Sequence, residues 1–151
     1  MLLGAEVAVE NGISEVKGIE KLAIEGTNLI LMELPYRKYE RWMSEEIYNL
    51  SVEYKLEIML AHVHRCIDFC SDDEIESILA SNAVFQVNNE AFSNWKEKRL
   101  AKRVIDECER FVFGSDAHDI GGRMPNWDTL KKKVGADFIS ASDDIIEQYA
   151  K

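Results

Sequence analysis

Short apolar runs alternate with amphipathic stretches along most of the 151-residue chain. Each run has the length of a β-strand and is bounded by polar or turn-forming residues, so the pattern predicts five strands. They cover residues 2–9, 28–34, 56–61, 84–87 and 111–114. Because these strands are apolar nearly throughout rather than alternating, both of their faces should be covered, as in a parallel sheet.

The stretches that follow these strands repeat apolar residues at helical spacing. They predict helices at residues 39–54, 71–80, 95–108, 127–134 and 142–150. Ser71 and Glu74 have the spacing of a capping box at the start of the second helix, and Ser142 is the expected cap of the last. In the third helix, Leu100 and Val104 should point toward the core.

Strands that alternate with helices indicate an α/β fold, and the pattern leaves two architectures open: a doubly wound sheet and a barrel. No internal repeat, low-complexity tract or linker interrupts the pattern. We therefore expect a single domain over residues 1–151, with a core built from the 46% of residues that are hydrophobic.

The charge balance argues against a nucleic-acid partner. Lys and Arg total 18 against 28 Asp and Glu, which gives a formal net charge of -10, and a polyanion would be repelled by that field. The one basic segment, residues 96–103, is interleaved with apolar residues at helical spacing. We interpret it as a solvated helix face.

Cysteine and hydropathy patterns bear on the compartment. The three cysteines have neither metal-ligand nor disulfide-framework spacing, which indicates free thiols in a reducing environment. No apolar run approaches the ~20 residues of a membrane span, and no signal-peptide pattern opens the chain. We expect a cytoplasmic protein without membrane insertion.

Polar residues lie at or near the end of every predicted strand. In strand order they are Glu6, Glu33, His62, Asn88 and Asp116, with His118 two residues further on. In parallel α/β folds the carboxyl ends of the strands converge on one mouth, so these side chains should meet there.

Metal binding explains these residue types. Imidazole and carboxylate groups suit Zn, Mn or Fe, and two cations about 3.5–4 Å apart can clamp a transferring phosphoryl group. Asp116 and His118 are two residues apart, so on an extended strand end both side chains point the same way. Three of the candidates also have a structural alternative: Glu6 as a surface ion pair, His62 as a core histidine, and Asp116 as a helix cap.

Neighbouring residues add to this picture. His64 is expected behind the ligands rather than among them, and the alternative for Asn88 and Asn89 is a simple turn. Arg65 and Arg123 lie on the same loops, and a guanidinium can bind a phosphate through two parallel hydrogen bonds. The alternative for both is a solvated loop arginine.

Two other phosphate chemistries lack support. A cysteine-based phosphatase needs an arginine a few residues after its cysteine, and no arginine stands six residues after any of the three. The chain also lacks the glycine-rich motifs of nucleotide-binding loops.

Five segments, followed by Arg123 and Pro125, occur in the order found in a known family: residues 4–7, 29–35, 58–65, 86–88 and 114–118. They resemble the PHP (polymerase and histidinol phosphatase) superfamily, and within it the bacterial tyrosine-phosphatase group linked to capsular and exopolysaccharide synthesis. The Ser-Asp-Ala-His element at 115–118 and the strand ending in Ala61-His62 are the most specific parts in combination.

The resemblance implies a distorted (β/α)7 barrel whose metal cluster, often manganese, activates water to attack a phosphomonoester. It implies Arg123 as a contact to the substrate phosphate, and five metal ligands: Glu6, Glu33, His62, Asp116 and His118. Where the family usually has His-Pro-Glu-Arg after the third strand, this chain has His62-Val63-His64-Arg65. The family pattern is therefore altered between His62 and Arg65.

The family's opening His-x-His strand is not found ahead of Glu6. We therefore expect an incomplete barrel of mostly parallel strands with outer helices, whose open edge is covered by a second copy of the chain or by a partner. We predict a metal-dependent phosphoesterase similar to phosphotyrosine-protein phosphatases, weakened or inactivated by that loss. Its substrate would be a phosphoprotein or a small phosphomonoester.

Manganese is the expected metal, with iron or zinc as alternatives. The competing interpretation is a non-catalytic remnant of such a barrel that binds a metal ion or a partner protein.

Overall fold

The computed structural model describes residues 3–118 and 125–149. A single sheet of five strands lies at its centre. The strands are Glu6–Ala8 (β1), Leu29–Glu33 (β2), Glu57–Leu60 (β3), Val84–Asn88 (β4) and Phe111–Gly114 (β5). All five predicted strands are therefore present, although β1 is much shorter than the predicted range 2–9.

The strands are all parallel and lie in the order β1-β2-β3-β4-β5. A doubly wound sheet reverses direction at a switch point, so neighbours in space would not follow the chain order across the whole sheet. Sequential order is what successive strand-helix units of a barrel produce. The topology thus selects one of the two architectures that the sequence pattern left open.

Among the described residues, three helices connect the strands and two more follow the last strand, together with several 3-10 turns. The helices are Arg41–Glu53 (α1), Asp72–Leu79 (α2), Trp95–Glu107 (α3), Trp127–Lys133 (α4) and Ala136–Tyr149 (α5). The 3-10 turns are Ile13–Glu15, Ile19–Leu22, Val63–Asp68 and Asn89–Ser93. None of the helices in the described part of the chain is long and apolar enough to cross a bilayer.

The capping box predicted for α2 is confirmed, because the Ser71 hydroxyl accepts from the Glu74 backbone N–H and the Glu74 carboxylate accepts from that of Ser71. The prediction for the last helix is wrong: α5 begins at Ala136, so Ser142 lies inside it rather than at its start. Ser142 is buried, and its hydroxyl accepts a hydrogen bond from the backbone N–H of Phe113 at 2.9 Å. A serine whose hydroxyl accepts a hydrogen bond from a strand N–H cannot be told from a helix-capping serine by sequence alone.

The two faces of the sheet differ in size and in character. One face carries the larger core, in which residues such as Ile30, Leu60 and Phe85 pack with buried residues of α1, α2 and α3. The other face carries a small cluster of four buried residues, Leu29, Met59, Val84 and Val112, against α5. We call this second side the inner face.

The strand register places polar residues on the inner face beyond that small cluster. Residues paired across parallel strands share a face, and so do residues two apart along a strand. Glu6 pairs with Leu31, which shares its face with Glu33, and Gln86 pairs with Val112 of the inner cluster. Carboxylate and amide groups within otherwise apolar strands therefore collect on one side of the sheet.

The sheet has two edge strands, β1 and β5. An unpaired edge exposes backbone groups, and on β5 the hydroxyl of Ser142 from α5 satisfies one of them, the N–H of Phe113. The expectation that a second chain covers an open edge stays a prediction.

A buried carboxylate fixes the loop after β1. Glu46 of α1 accepts hydrogen bonds from the backbone N–H groups of Gly12 at 2.7 Å and Ser14 at 2.9 Å. Burial alone would raise the pKa of Glu46, but these hydrogen bonds outweigh it and lower the pKa. The Glu46 carboxylate thereby holds this loop against α1.

Replacement of Glu46 by alanine should lower the free energy of unfolding by about 2 kcal/mol, because two backbone donors lose a charged acceptor. Since the pKa of Glu46 is lowered by folding, its stabilising effect is present above the unfolded-state pKa of about 4.3 and is lost as the pH falls through the lower folded-state value. Urea denaturation at neutral and acidic pH measures both effects. Glu45→Ala is the control, because its carboxylate contacts only the exposed Arg41. An equal loss in both variants would contradict this account.

Candidate metal centre

One cavity of about 330 Å³ opens where the strands end. Its lining consists of charged and hydrogen-bonding side chains from β1, β2 and the segments that follow β2, β3 and β5: Glu6, Glu33, Tyr36, His62, Arg65, Asp116 and His118. The five residues proposed as metal ligands from the sequence all line this cavity, together with Arg65. Arg123, the other proposed phosphate contact, lies outside the described residues.

Three of these side chains form a compact cluster. The His62 Nε2 atom lies 3.0 Å from Oε1 of Glu6 and 3.3 Å from Oε1 of Glu33. One potential ligand atom from each residue lies within 4.8 Å of the other two. Among the described residues, this is the cluster that can hold a metal ion, and Asp116 and His118 line the same cavity outside it.

The spacing of the cluster suits a first-row divalent cation. Ligand atoms about 2.1 Å from such an ion are about 3 Å apart when they stand at right angles around it. The two distances from His62 Nε2 have this size. The donor set of two carboxylates and one imidazole is also one that Zn, Mn and Fe accept.

An unusual backbone conformation orients two of the cavity side chains. His62 and Asp116 both adopt left-handed backbone conformations, with φ of 31° and 49°. Left-handed backbone is unfavourable for residues with a Cβ and is often found where a site requires it. Strict alternation after Met59 would point His62 away from the inner face, toward α1, α2 and α3. The left-handed conformation of His62 therefore accounts for a side-chain position that the strand pattern alone would not give.

A chain of amide groups on β4 joins these two residues. The backbone N–H of His62 donates to Oε1 of Gln86, and the Gln86 amide donates to Oδ1 of Asn88 at 2.9 Å. The Asn88 amide in turn donates to Oδ2 of Asp116 at 3.0 Å. We call Gln86 and Asn88 the amide relay. Each group donates in the same direction, from the end of β3 to the end of β5.

The amide relay requires a glycine on the next strand. A Cβ atom built on Gly114 would lie 2.2 Å from Nε2 of Gln86 and 3.2 Å from its Cδ. Both positions face the inner side of the sheet, so any side chain at Gly114 would push the Gln86 amide from its place. This close approach explains why β5 ends in glycine.

Arg65 and Tyr36 form a second connection across the cavity. Arg65 donates to Oδ2 of Asp116 at 2.8 Å and to the Tyr36 hydroxyl at 3.1 Å, and that hydroxyl donates to Oε1 of Glu33 at 2.8 Å. Burial and the hydrogen bond to Glu33 raise the pKa of Tyr36, so its hydroxyl stays protonated. Arg65 also lies 3.3 Å from Glu90.

His64 lies behind the cavity, as the sequence suggested. It is fully buried, and its Nδ1 atom accepts from the backbone N–H of Asn88 at 3.4 Å. Burial, followed by the charges of Arg65 and His62, lowers the pKa of His64 to about 3, so the ring is neutral at physiological pH. Nδ1 is therefore the acceptor and Nε2 carries the proton; Nε2 lies 3.6 Å from Oε2 of Glu97, beyond hydrogen-bond distance.

His118 is fixed by its neighbour. Its Nδ1 atom lies 2.8 Å from the backbone carbonyl oxygen of Asp116. Because a carbonyl can only accept, Nδ1 carries the proton and leaves the lone pair on Nε2. That tautomer keeps Nε2 ready to act as a ligand.

Two contributors to this site, Gln86 and Tyr36, were not among the site residues predicted from the sequence. Gln86 stands inside an apolar strand, and this was the available signal for a buried polar role. Asn88 was expected at the strand ends with a simple turn as the alternative, and it is fully buried and donates to Asp116. Tyr36 gave no signal, because its position depends on Glu33 and Arg65 from separate segments.

Comparison with known proteins identifies the family that the sequence matches. A family model described as capsular polysaccharide synthesis, CpsB/CapC, matches residues 1–145. No curated protein matches the chain in sequence.

Among solved structures, one match is to a crystal structure described as that of YwqE from Bacillus subtilis and CpsB from Streptococcus pneumoniae, unique metal-dependent tyrosine phosphatases. This chain superposes on it with a TM-score of 0.79 at 16% identity. The match covers 97% of this chain and 62% of that chain, so the chain spans less than two thirds of the solved protein. The expected α/β fold class is confirmed.

Replacement of Gln86 by leucine should lower the free energy of unfolding by about 2–3 kcal/mol, because it leaves the His62 backbone N–H and the Asn88 Oδ1 atom without these partners. Chemical denaturation measures this change. The matched control is Gln148→Leu, since Gln148 is exposed on α5. If both substitutions had the same small effect, the amide relay would not support the ends of β3 and β5.

Proposed function

The chain belongs to the CpsB/CapC family of capsular polysaccharide synthesis proteins, and we propose that it is a metal-dependent phosphomonoesterase that acts on phosphotyrosine in proteins. The observation that carries the proposal is the cluster of Glu6, Glu33 and His62 beside Arg65 in one cavity. The metal-dependent tyrosine phosphatases that share the fold support the same reading.

We propose Glu6, Glu33, His62, Asp116 and His118 as the metal ligands and manganese as the metal, with iron or zinc as alternatives. A bound divalent cation supplies Lewis-acid chemistry, which withdraws charge from a phosphoryl oxygen and lowers the pKa of water. Three carboxylates line the cavity, and among the described residues Asp116 is the one of the three that pairs with an arginine. The carboxylates of Glu6 and Glu33 thus provide negative charge for a cation to balance.

Arg65 has the position of a phosphate contact. Its guanidinium lines the cavity and is held by Asp116 and Tyr36, so it presents its donors without having to be ordered by the substrate. A planar guanidinium fits two phosphate oxygens and offsets charge that develops in the transition state. We propose the same role for Arg123.

An aromatic rim beside the cavity favours an aryl ester over an alkyl ester. Tyr36 is half exposed, and its ring lies parallel to that of His62, with centroids 6.2 Å apart. Phe69, also exposed, packs against Tyr36 with centroids 5.5 Å apart. A phenyl ring whose phosphate enters the cavity can stack on this rim, and such ring pairs contribute about 0.5–1.5 kcal/mol.

A second candidate function is single-metal binding without turnover. The described residues form one three-ligand cluster, whereas a two-metal clamp needs further ligands. Asp116 is already charge-compensated by Arg65. A protein that binds one cation and does not hydrolyse phosphate esters would fit these two facts.

Glu33→Gln separates the two functions. As an enzyme, the full chain should bind manganese and hydrolyse an aryl phosphate, and the substitution should lower kcat/KM about 100-fold or more by weakening the metal site. Metal content and turnover are measured on the same samples, with Glu25→Gln, an exposed position, as the control. Metal binding without turnover supports the second candidate. If the chain neither binds manganese nor hydrolyses the ester, both candidate functions are contradicted.

Phe69→Ala should reduce the preference for phenyl phosphate over an alkyl phosphate by about three- to ten-fold, which is the loss of one aromatic contact. The readout is the ratio of kcat/KM for the two esters. Tyr48→Ala removes an exposed aromatic ring from α1, away from the cavity, and should leave that ratio unchanged. An unchanged ratio in Phe69→Ala would show that the rim does not bind the aryl group.

A further inference from the structure

Cys66 and Cys70 lie at the two ends of the segment that directly follows Arg65. The backbone N–H of Cys70 donates to the carbonyl oxygen of Cys66 at 2.8 Å, so a single helical turn separates the two residues. Side chains four residues apart on such a turn have Cβ atoms roughly 5–6 Å apart, and a disulfide needs about 3.5–4.5 Å. A small contraction of one turn would therefore join the sulfur atoms.

The two thiols are close enough to shift each other's pKa, and the Sγ atom of Cys70 also lies 3.8 Å from the carbonyl oxygen of Arg37. The contact with Cys66 is the largest cause that lowers the pKa of Cys70 to about 7. The same contact, together with burial, raises the pKa of Cys66. Near neutral pH the pair therefore combines a reactive thiolate with a protonated thiol beside it, as attacking and resolving cysteines do.

We propose that Cys66 and Cys70 form an oxidisable dithiol site that closes to a disulfide in the presence of hydrogen peroxide. Both side chains are partly accessible, which a small oxidant requires. The third cysteine, Cys108, directly follows α3 and has no other cysteine within four residues in the sequence.

The chemistry needs only the two thiols and peroxide. The Cys70 thiolate attacks one peroxide oxygen, an S–O bond forms, the O–O bond breaks, and the departing hydroxide takes a proton to become water. The Cys66 sulfur then attacks the Cys70 sulfur of the sulfenic acid, which forms the S–S bond and releases a second water. The two thiols lose two electrons in total, and peroxide gains them.

The location of the site links it to the cavity. Cys66 lines a small pocket together with Tyr36, His62 and Arg65. The contracted turn also contains Phe69, the ring neighbour of Tyr36. Closure of the disulfide would therefore reposition side chains at the rim of the candidate metal centre.

The test treats the full chain with hydrogen peroxide, alkylates the remaining thiols and maps the peptides by mass spectrometry. Wild type and Cys108→Ser should both lose alkylation at Cys66 and Cys70 and gain the disulfide between them. In Cys66→Ser, Cys70 should stop at the sulfenic acid or higher acids, because the resolving thiol is gone. Serine is close in size to cysteine, and circular dichroism checks that each variant is folded.

A measurement on the unmodified chain complements the variants. Without peroxide, Cys70 should be alkylated about ten-fold faster than Cys108 at pH 7, because burial raises the pKa of Cys108. The proposal is overturned if Cys108 reacts first, or if Cys66 and Cys70 stay separately alkylatable after peroxide. Neither readout needs metal or turnover, so the dithiol site and the proposed function can fail independently.

Discussion

Hydrogen bonds from two side chains of β4 hold the candidate site together. The amide relay, Gln86 and Asn88, connects the backbone of His62 at the end of β3 to the carboxylate of Asp116 after β5. Both connected residues have left-handed backbone, which would relax without a partner that specifies it. Because Gly114 leaves room for the Gln86 amide, the relay depends on a missing side chain as much as on those present.

The charges that face the cavity determine what it can bind. The carboxylates of Glu6, Glu33 and Asp116 face one cavity of a chain whose formal net charge is -10. Arg65 balances Asp116, whereas Glu6 and Glu33 meet at His62 Nε2. Two carboxylates this close to one imidazole nitrogen form a donor set with negative charge that a divalent cation can balance.

Much of this could be predicted from the sequence, for physical reasons that differ by residue. Apolar periodicity is local, so it located the strands and helices, and parallel topology then brought Glu33, His62 and Asp116 to one mouth. The partners of Tyr36 and Ser142 come from distant segments, and local patterns do not encode them. Ser142 is the clearest case, since a helix cap and a buried acceptor for Phe113 look alike in sequence.

The most direct test of the metal site is anomalous scattering from crystals of the full chain grown with manganese. The account predicts one strong peak about 2.1 Å from Oε1 of Glu6, Oε1 of Glu33 and Nε2 of His62, with the amide relay intact. A map with no peak there, or with manganese bound elsewhere while His62 hydrogen-bonds directly to both carboxylates, would contradict it.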